Sequence, residues 1–111
     1  MRFAVIEEII QVNQRVELEV LVRGEWQCYP SRIEILHDSG IALAAPLKGG
    51  ILEPVRIGEK ARITIPYKDA LYGFETSVLG RQSGNINYLI VGWPTSLTTA
   101  NRRAYFRLDV L

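Results

Sequence analysis

Residues 15–22 read Arg15-Val16-Glu17-Leu18-Glu19-Val20-Leu21-Val22, and an apolar side chain stands at every second position from Val16 to Val22. Successive side chains of a β-strand point to opposite faces of its sheet, so this period of two predicts a strand with one buried face and one solvated face. Antiparallel sheets give their strands that environment. The stretch therefore indicates a fold built from antiparallel strands.

The same alternation recurs along the chain between clusters of turn residues. Further strands are predicted at residues 27–36, 40–45, 61–65, 72–80, 87–93 and 105–111. A loop is predicted between Pro46 and Gly58, and a short linker at residues 95–101. Residues 3–12 fit a helix as well as a strand. No other segment has a convincing helical pattern, so the sequence predicts an all-β fold, a small antiparallel barrel or sandwich of six to seven strands.

Composition excludes several classes of protein. The chain has 111 residues, 48% of them hydrophobic, and a formal net charge of +1, which fits one soluble domain and excludes a disordered or strongly charged chain. A single cysteine, Cys28, and a single histidine, His37, exclude an internal disulfide and a zinc finger. The apolar runs are far shorter than the ~20 residues of a membrane span, and no signal peptide is recognisable. We therefore expect a cytoplasmic protein with no metal and no membrane insertion.

Candidate catalytic residues are weak. His37 lies in a predicted turn and is interpreted as a solvated loop residue, and Cys28 is interpreted as a half-buried structural thiol. The acidic pair Glu17 and Glu19 falls on the predicted solvent face of its strand, and Lys48-Gly49-Gly50 lacks the helix that a phosphate-binding loop requires. The sequence therefore predicts no enzyme. Most aromatic side chains are assigned to the core, among them Tyr72, Phe74, Tyr88, Trp93 and Phe106.

An arginine cluster near the end of the chain is the strongest candidate binding site. Arg102, Arg103 and Arg107 surround the aromatic pair Tyr105-Phe106 where the linker meets the last predicted strand. Guanidinium groups offer planar forks for phosphate oxygens and flat faces that stack on bases. A solvated basic face is equally consistent with the spacing.

Several motifs of the chain are similar to those of a known family. Arg103-Ala104-Tyr105-Phe106-Arg107 matches the RxxxR motif that opens PilZ domains, and Asn101-Arg102-Arg103 resembles the QRR sequence before it. Other segments occur in the order seen in the N-terminal domain (YcgR-N or PilZN) of YcgR-like flagellar brakes, which respond to cyclic di-GMP. These segments are Tyr29-Pro30-Ser31-Arg32-Ile33, Ala45-Pro46-Leu47, Gly58-Glu59-Lys60, residues 72–80 and residues 88–94. The chain thus resembles this domain over roughly residues 10–107.

The resemblance implies a small split β-barrel over residues 1–100, followed by residues 101–111 as the linker with RxxxR and the start of a PilZ domain that this chain lacks. Arg103 and Arg107 would grip the phosphates and guanine faces of cyclic di-GMP, with Arg102 as an auxiliary contact. The second family motif, D/N-x-S-x-x-G, is absent from the chain. We therefore expect weak binding by this chain alone and tight binding by a longer parent protein.

The function implied by the resemblance is a non-enzymatic regulatory module of a cyclic di-GMP receptor that controls flagellar motility. No cofactor is expected. The implied partners are the dinucleotide, the PilZ domain and the stator or switch proteins at the base of the flagellar motor. Two alternatives stay open: a flavin-binding split barrel, and a small barrel that binds single-stranded nucleic acid through Arg102, Arg103 and Arg107. The low net charge argues against the second, so no DNA partner is expected.

Overall fold

A computed structural model describes residues 2–99, with side chains described from residue 6. The helix α1 spans Arg2–Ile9. Nine strands follow: β1 Arg15–Val22, β2 Glu25–His37, β3 Gly40–Ala44, β4 Leu47–Lys48, β5 Ile51–Leu52, β6 Lys60–Tyr67, β7 Ala70–Gln82, β8 Tyr88–Val91 and β9 Thr98–Thr99. The strand predicted at residues 105–111 lies outside the described residues.

Six of these strands form a closed antiparallel barrel. The order around it is β6-β1-β2-β3-β8-β7, and β7 pairs again with β6 to complete the ring. The short strand β9 adds to β7 outside the ring. The prediction of an all-β barrel is confirmed, and the alternative of a sandwich is excluded by the closure between β6 and β7.

Two long strands turn the corners of the barrel. β2 and β7 have 13 residues each, and each pairs with one neighbour along its first part and with another along its second. The register shifts between Ile33 and Ile35 in β2 and between Val78 and Gly80 in β7. An extra residue at such a bulge bends a strand and increases its twist. One long strand can therefore serve both halves of the barrel.

The core is built from the predicted alternation. Val16, Leu18, Val20 and Val22 are all buried, whereas Glu17 and Glu19 on the opposite face are half-buried. Residues 3–12 fitted a helix or a strand, and the structure has the helix α1, which ends at Ile9. Ile6, Ile9 and Ile10 have the spacing of one helical face and join the core.

Two expectations about connections were wrong. The predicted loop after Pro46 contains the β4–β5 hairpin, whose turn residues Gly49 and Gly50 both have positive φ. Glycine adopts such angles without the steric cost that other residues carry, so the hairpin can form. The predicted linker at residues 95–101 contains β9, because β7 offers backbone groups for pairing at Tyr72 and Gly73.

The aromatic assignments hold only in part. Tyr72, Phe74 and Trp93 are partly buried and pack against the core, and Tyr88 is half-buried. Phe106 lies outside the described residues. Within residues 6–99 the most buried aromatic side chain is Tyr29, at 8% exposure, since aliphatic side chains fill most of the barrel interior.

The close approach of β3 and β8 depends on Gly40. A Cβ at this position would lie 2.9 Å from the carbonyl oxygen of Val91 and 3.0 Å from Cγ2 of Ile90. We predict that Gly40→Ala lowers the free energy of unfolding in urea by about 1–3 kcal/mol, because the strands must move apart. A Cβ at Gly80 would meet nothing within 4 Å. Gly80→Ala should therefore leave stability unchanged or slightly raised, and equal losses from both variants would contradict this account.

Candidate functional site

The predicted arginines Arg102, Arg103 and Arg107 lie outside the described residues, but the structure fixes where the chain approaches them. Thr99 pairs with Tyr72 and Thr98 pairs with Gly73, and the hydroxyl of Thr98 donates to the carbonyl oxygen of Gly73 at 3.2 Å. β7 begins at Ala70, directly after the turn that follows β6. The segment leading to the arginines therefore starts at this end of the barrel.

A cleft of about 410 Å³ opens at the same end, and we call it the exit cleft. The end of α1, the β6–β7 turn and the beginning of β7 form its walls. Lys68 in the turn has a φ of 54°, which is uncommon for a residue other than glycine. The residues that line the exit cleft are Glu8, Ile9, Tyr67, Lys68, Asp69, Ala70 and Tyr72.

Glu8, Tyr67 and Lys68 form the polar part of the exit cleft. The Tyr67 hydroxyl donates to Oε2 of Glu8 at 2.6 Å, and the Lys68 ammonium lies 3.5 Å from the same oxygen. The hydrogen bond from Tyr67, followed by the charge of Lys68, lowers the pKa of Glu8, and the same hydrogen bond raises the pKa of Tyr67. These groups are exposed, so water screens their interactions. The exit cleft thus holds a lysine paired with Glu8 and the partly buried rings of Tyr67 and Tyr72.

A second site lies under the segment of residues 45–57, which we call the flap. The Tyr29 hydroxyl donates to the carboxylate of Glu53, and the amide of Ala45 donates to the carbonyl oxygen of Asn87 at 3.1 Å. Val55 is 1% exposed and joins the core. Burial, the hydrogen bond to Glu53 and the charge of Glu53 together raise the pKa of Tyr29. These contacts hold the flap against the barrel.

The space between the flap and the β7–β8 hairpin is a groove of about 320 Å³, the flap groove. Leu52, Val55 and Ile57 line it from the flap, and Leu89 lines it from β8. Its polar lining comes from Glu53 and from residues at the end of the hairpin: Arg81, Gln82, Ser83, Asn87 and Tyr88. The groove therefore combines an apolar surface with amides and one guanidinium group.

The outer face of the barrel holds a third polar cluster. The guanidinium carbon of Arg62 lies 4.0 Å from the ring centroid of Trp26, and Nε of Arg62 lies 3.3 Å from Oε2 of Glu75. Cys28 is half-buried, as predicted, and its Sγ lies 3.3 Å from Oε1 of Glu17. Among the residues with described side chains, no group of three or more His, Cys, Asp or Glu residues could hold a metal ion.

The chain matches the sequence model of a known protein family. The family model described as "Flagellar protein YcgR" (PilZNR) matches residues 11–94, which is more than half of the chain. The chain belongs to this YcgR family. The match covers β1 to β8 and all of the flap, so both walls of the flap groove belong to the YcgR domain. It ends before the arginine cluster.

A solved structure has the same fold as this YcgR-family chain. The structure is that of the Bacillus subtilis inhibitor of motility (MotI/DgrA), with a TM-score of 0.70 and 17% sequence identity over 85% of this chain. The match spans 47% of the other protein, so the YcgR-family chain corresponds to about half of that protein's length. No curated protein matches the chain. Within residues 2–99, no helix is long and apolar enough to cross a membrane.

Sequence reasoning missed the exit cleft and the flap groove. It assigned no functional role to Glu8, Tyr67, Lys68 or Arg81. Glu8 and Tyr67 are 59 positions apart in the sequence. The local signal for the flap was Gly49-Gly50 between Leu47-Lys48 and Ile51-Leu52, which fits a hairpin turn.

Proposed function

We propose that the chain is the N-terminal domain of a longer, non-enzymatic, cytoplasmic protein that regulates flagellar motility. The observation that carries this proposal is the match of residues 11–94 to the flagellar protein YcgR family. The fold shared with a protein named for its inhibition of motility supports the same role. In this proposal the barrel acts by binding other molecules, and its exposed clefts and grooves are contact surfaces.

The proposal includes cyclic di-GMP as the signal, bound by the parent protein at the linker. Arg103 and Arg107 bind the phosphates and stack on the guanine faces of the dinucleotide, and Arg102 adds a further contact. A guanidinium group suits both tasks, because it forms paired hydrogen bonds with phosphate oxygens and stacks on flat rings. Thr99, three residues before Arg102 in the sequence, pairs with Tyr72 at the end of the barrel that holds the exit cleft.

Regulation then follows from the placement of two domains. A ligand that contacts both the linker and the following PilZ domain favours one arrangement of the two barrels over the others. That arrangement presents a surface to a stator or switch protein of the flagellar motor. In this proposal the barrel moves as a rigid body relative to the PilZ domain.

Swimming speed in cells with raised cyclic di-GMP tests the proposed role. We expect the parent protein to reduce swimming, and we expect Arg103→Ala combined with Arg107→Ala to restore most of it, because the signal is no longer bound. The matched control is Arg15→Ala combined with Arg32→Ala, which removes two exposed arginines that face each other on β1 and β2. The role is contradicted if the parent protein leaves swimming unchanged, or if the control pair restores swimming as well as the linker pair does.

A further inference from the structure

We propose that the flap groove binds an acidic, apolar peptide segment of a partner protein. This inference goes beyond the proposed function, because it assigns a contact surface to the barrel itself and does not require cyclic di-GMP.

Exposed apolar side chains are concentrated on the flap. Eight large hydrophobic residues are exposed among those with described side chains, and four of them lie between positions 47 and 57. Ile51 is 73% exposed and Ile57 is 65% exposed, and Leu47 and Leu52 face each other across the β4–β5 pair. The other four are scattered at Val12, Leu36, Leu79 and Ile86. Concentrated apolar exposure marks a contact surface more often than single exposed residues do.

The groove is already formed before any partner arrives. The Tyr29–Glu53 hydrogen bond holds the flap on one side, and Val55 anchors it in the core. The bond between Ala45 and Asn87 joins the flap to the hairpin that forms the opposite wall. A partner that enters a preformed groove loses less binding energy to the ordering of loops. A volume of about 320 Å³ is at the small end of the range for ligand sites and suits one or two apolar side chains.

The charges around the groove select an acidic partner. Lys48 and Arg56 are exposed on the flap, and Arg81 lines the groove from β7. Glu53 is the one carboxylate of the lining, and the hydrogen bond from the Tyr29 hydroxyl leaves its negative charge in place. The three cations of the flap and the lining outnumber it, so the surroundings of the groove carry a net positive charge, and a guanidinium group binds a carboxylate with particular strength.

The polar lining favours a peptide over a lipid surface. Gln82 and Asn87 carry side-chain amides, which can donate to and accept from a peptide backbone. An apolar centre with a polar rim is the usual composition of a protein contact. A lipid surface would make no use of amides placed within a concave groove.

The test is selection of binders from a displayed random peptide library on the intact chain. We expect enriched peptides in which Asp or Glu stands near Leu, Ile or Phe. Arg81→Glu should change the selected charge from acidic to basic, whereas Arg15→Glu, at an exposed arginine on β1, should not. Leu52→Ser and Ile57→Ser should each weaken a selected peptide about tenfold or more, because both side chains line the groove.

Several results would overturn the inference. They are a selection without acidic residues, a charge preference unaffected by Arg81→Glu, and an equal loss from the control Val12→Ser, which is exposed outside the groove. Binding to phosphatidylglycerol vesicles that depends on Leu52 and Ile57, with no peptide enriched, would assign the surface to lipid instead. Each variant is first checked for a native amide spectrum. Peptide binding here requires no dinucleotide, so its failure is separable from a failure of the motility assay.

Discussion

Leu18→Ala is expected to lower the free energy of unfolding by about 2–5 kcal/mol, the usual cost of removing a large side chain from a well-packed interior. Leu18 is 0% exposed and lies in the middle of β1. It faces Tyr29 on β2 and Ile63 on β6, which are both buried. The cavity left by the substitution would be lined by side chains from three strands of a closed barrel, which limits how far they can collapse to fill it.

The matched control is Leu21→Ala on the same strand. Leu21 points to the outer face, where it is half-buried beside Trp26. Its truncation leaves no enclosed cavity, so we expect a loss of about 1 kcal/mol or less. Urea denaturation of both variants measures the difference directly. If the two substitutions cost the same, β1 does not have the buried and solvated faces that its alternating sequence predicts.

The second large effect is expected on ligand binding by the parent protein. Arg103→Ala combined with Arg107→Ala should weaken the binding of cyclic di-GMP about a hundredfold or more. A hydrogen bond to a charged group contributes about 1.5–3 kcal/mol, and each 1.4 kcal/mol corresponds to a factor of about ten in the dissociation constant. Two lost arginine contacts therefore account for the predicted loss.

The chain alone should bind the dinucleotide weakly. Isolated arginines in solvent are screened by salt, and holding their long side chains around a ligand costs conformational entropy. A second domain would supply the remaining contacts and would fix the geometry of the linker. We therefore expect the parent protein to bind cyclic di-GMP more tightly than the chain alone.

The strands of the barrel could be predicted from the sequence because most of them have apolar residues at alternate positions, a pattern that is visible locally. The alternation at Val16, Leu18, Val20 and Val22 is sufficient to place β1 and its inner face. The closure of the barrel could not be predicted in this way. It depends on β2 and β7 bending at Glu34 and Leu79, and neither position differs from an ordinary strand residue in its sequence. The bulge at each position lets the strand pair with two different neighbours.

Of the candidate sites, the sequence indicates only the arginine motif, whose residues are close together in the chain. Arg102, Arg103 and Arg107 lie within six positions, and their role in binding stays a prediction. The flap groove depends on Leu52 and Arg81, which come from separate parts of the chain and meet only in the folded barrel. The hydrogen bond between Tyr29 and Glu53 that holds the flap likewise joins residues 24 positions apart. No local pattern encodes such contacts.

Calorimetric titration of cyclic di-GMP into this chain and into the longer parent protein shows directly whether the arginine motif binds the dinucleotide. The titration is repeated with Arg103→Ala combined with Arg107→Ala, and with the control pair Arg15→Ala and Arg32→Ala. We expect tight binding by the parent and by its control pair, and weak binding by the linker pair and by the chain alone. Unchanged affinity of the parent after loss of Arg103 and Arg107, or no binding by any form, would contradict the claim that this barrel and its linker belong to a cyclic di-GMP receptor.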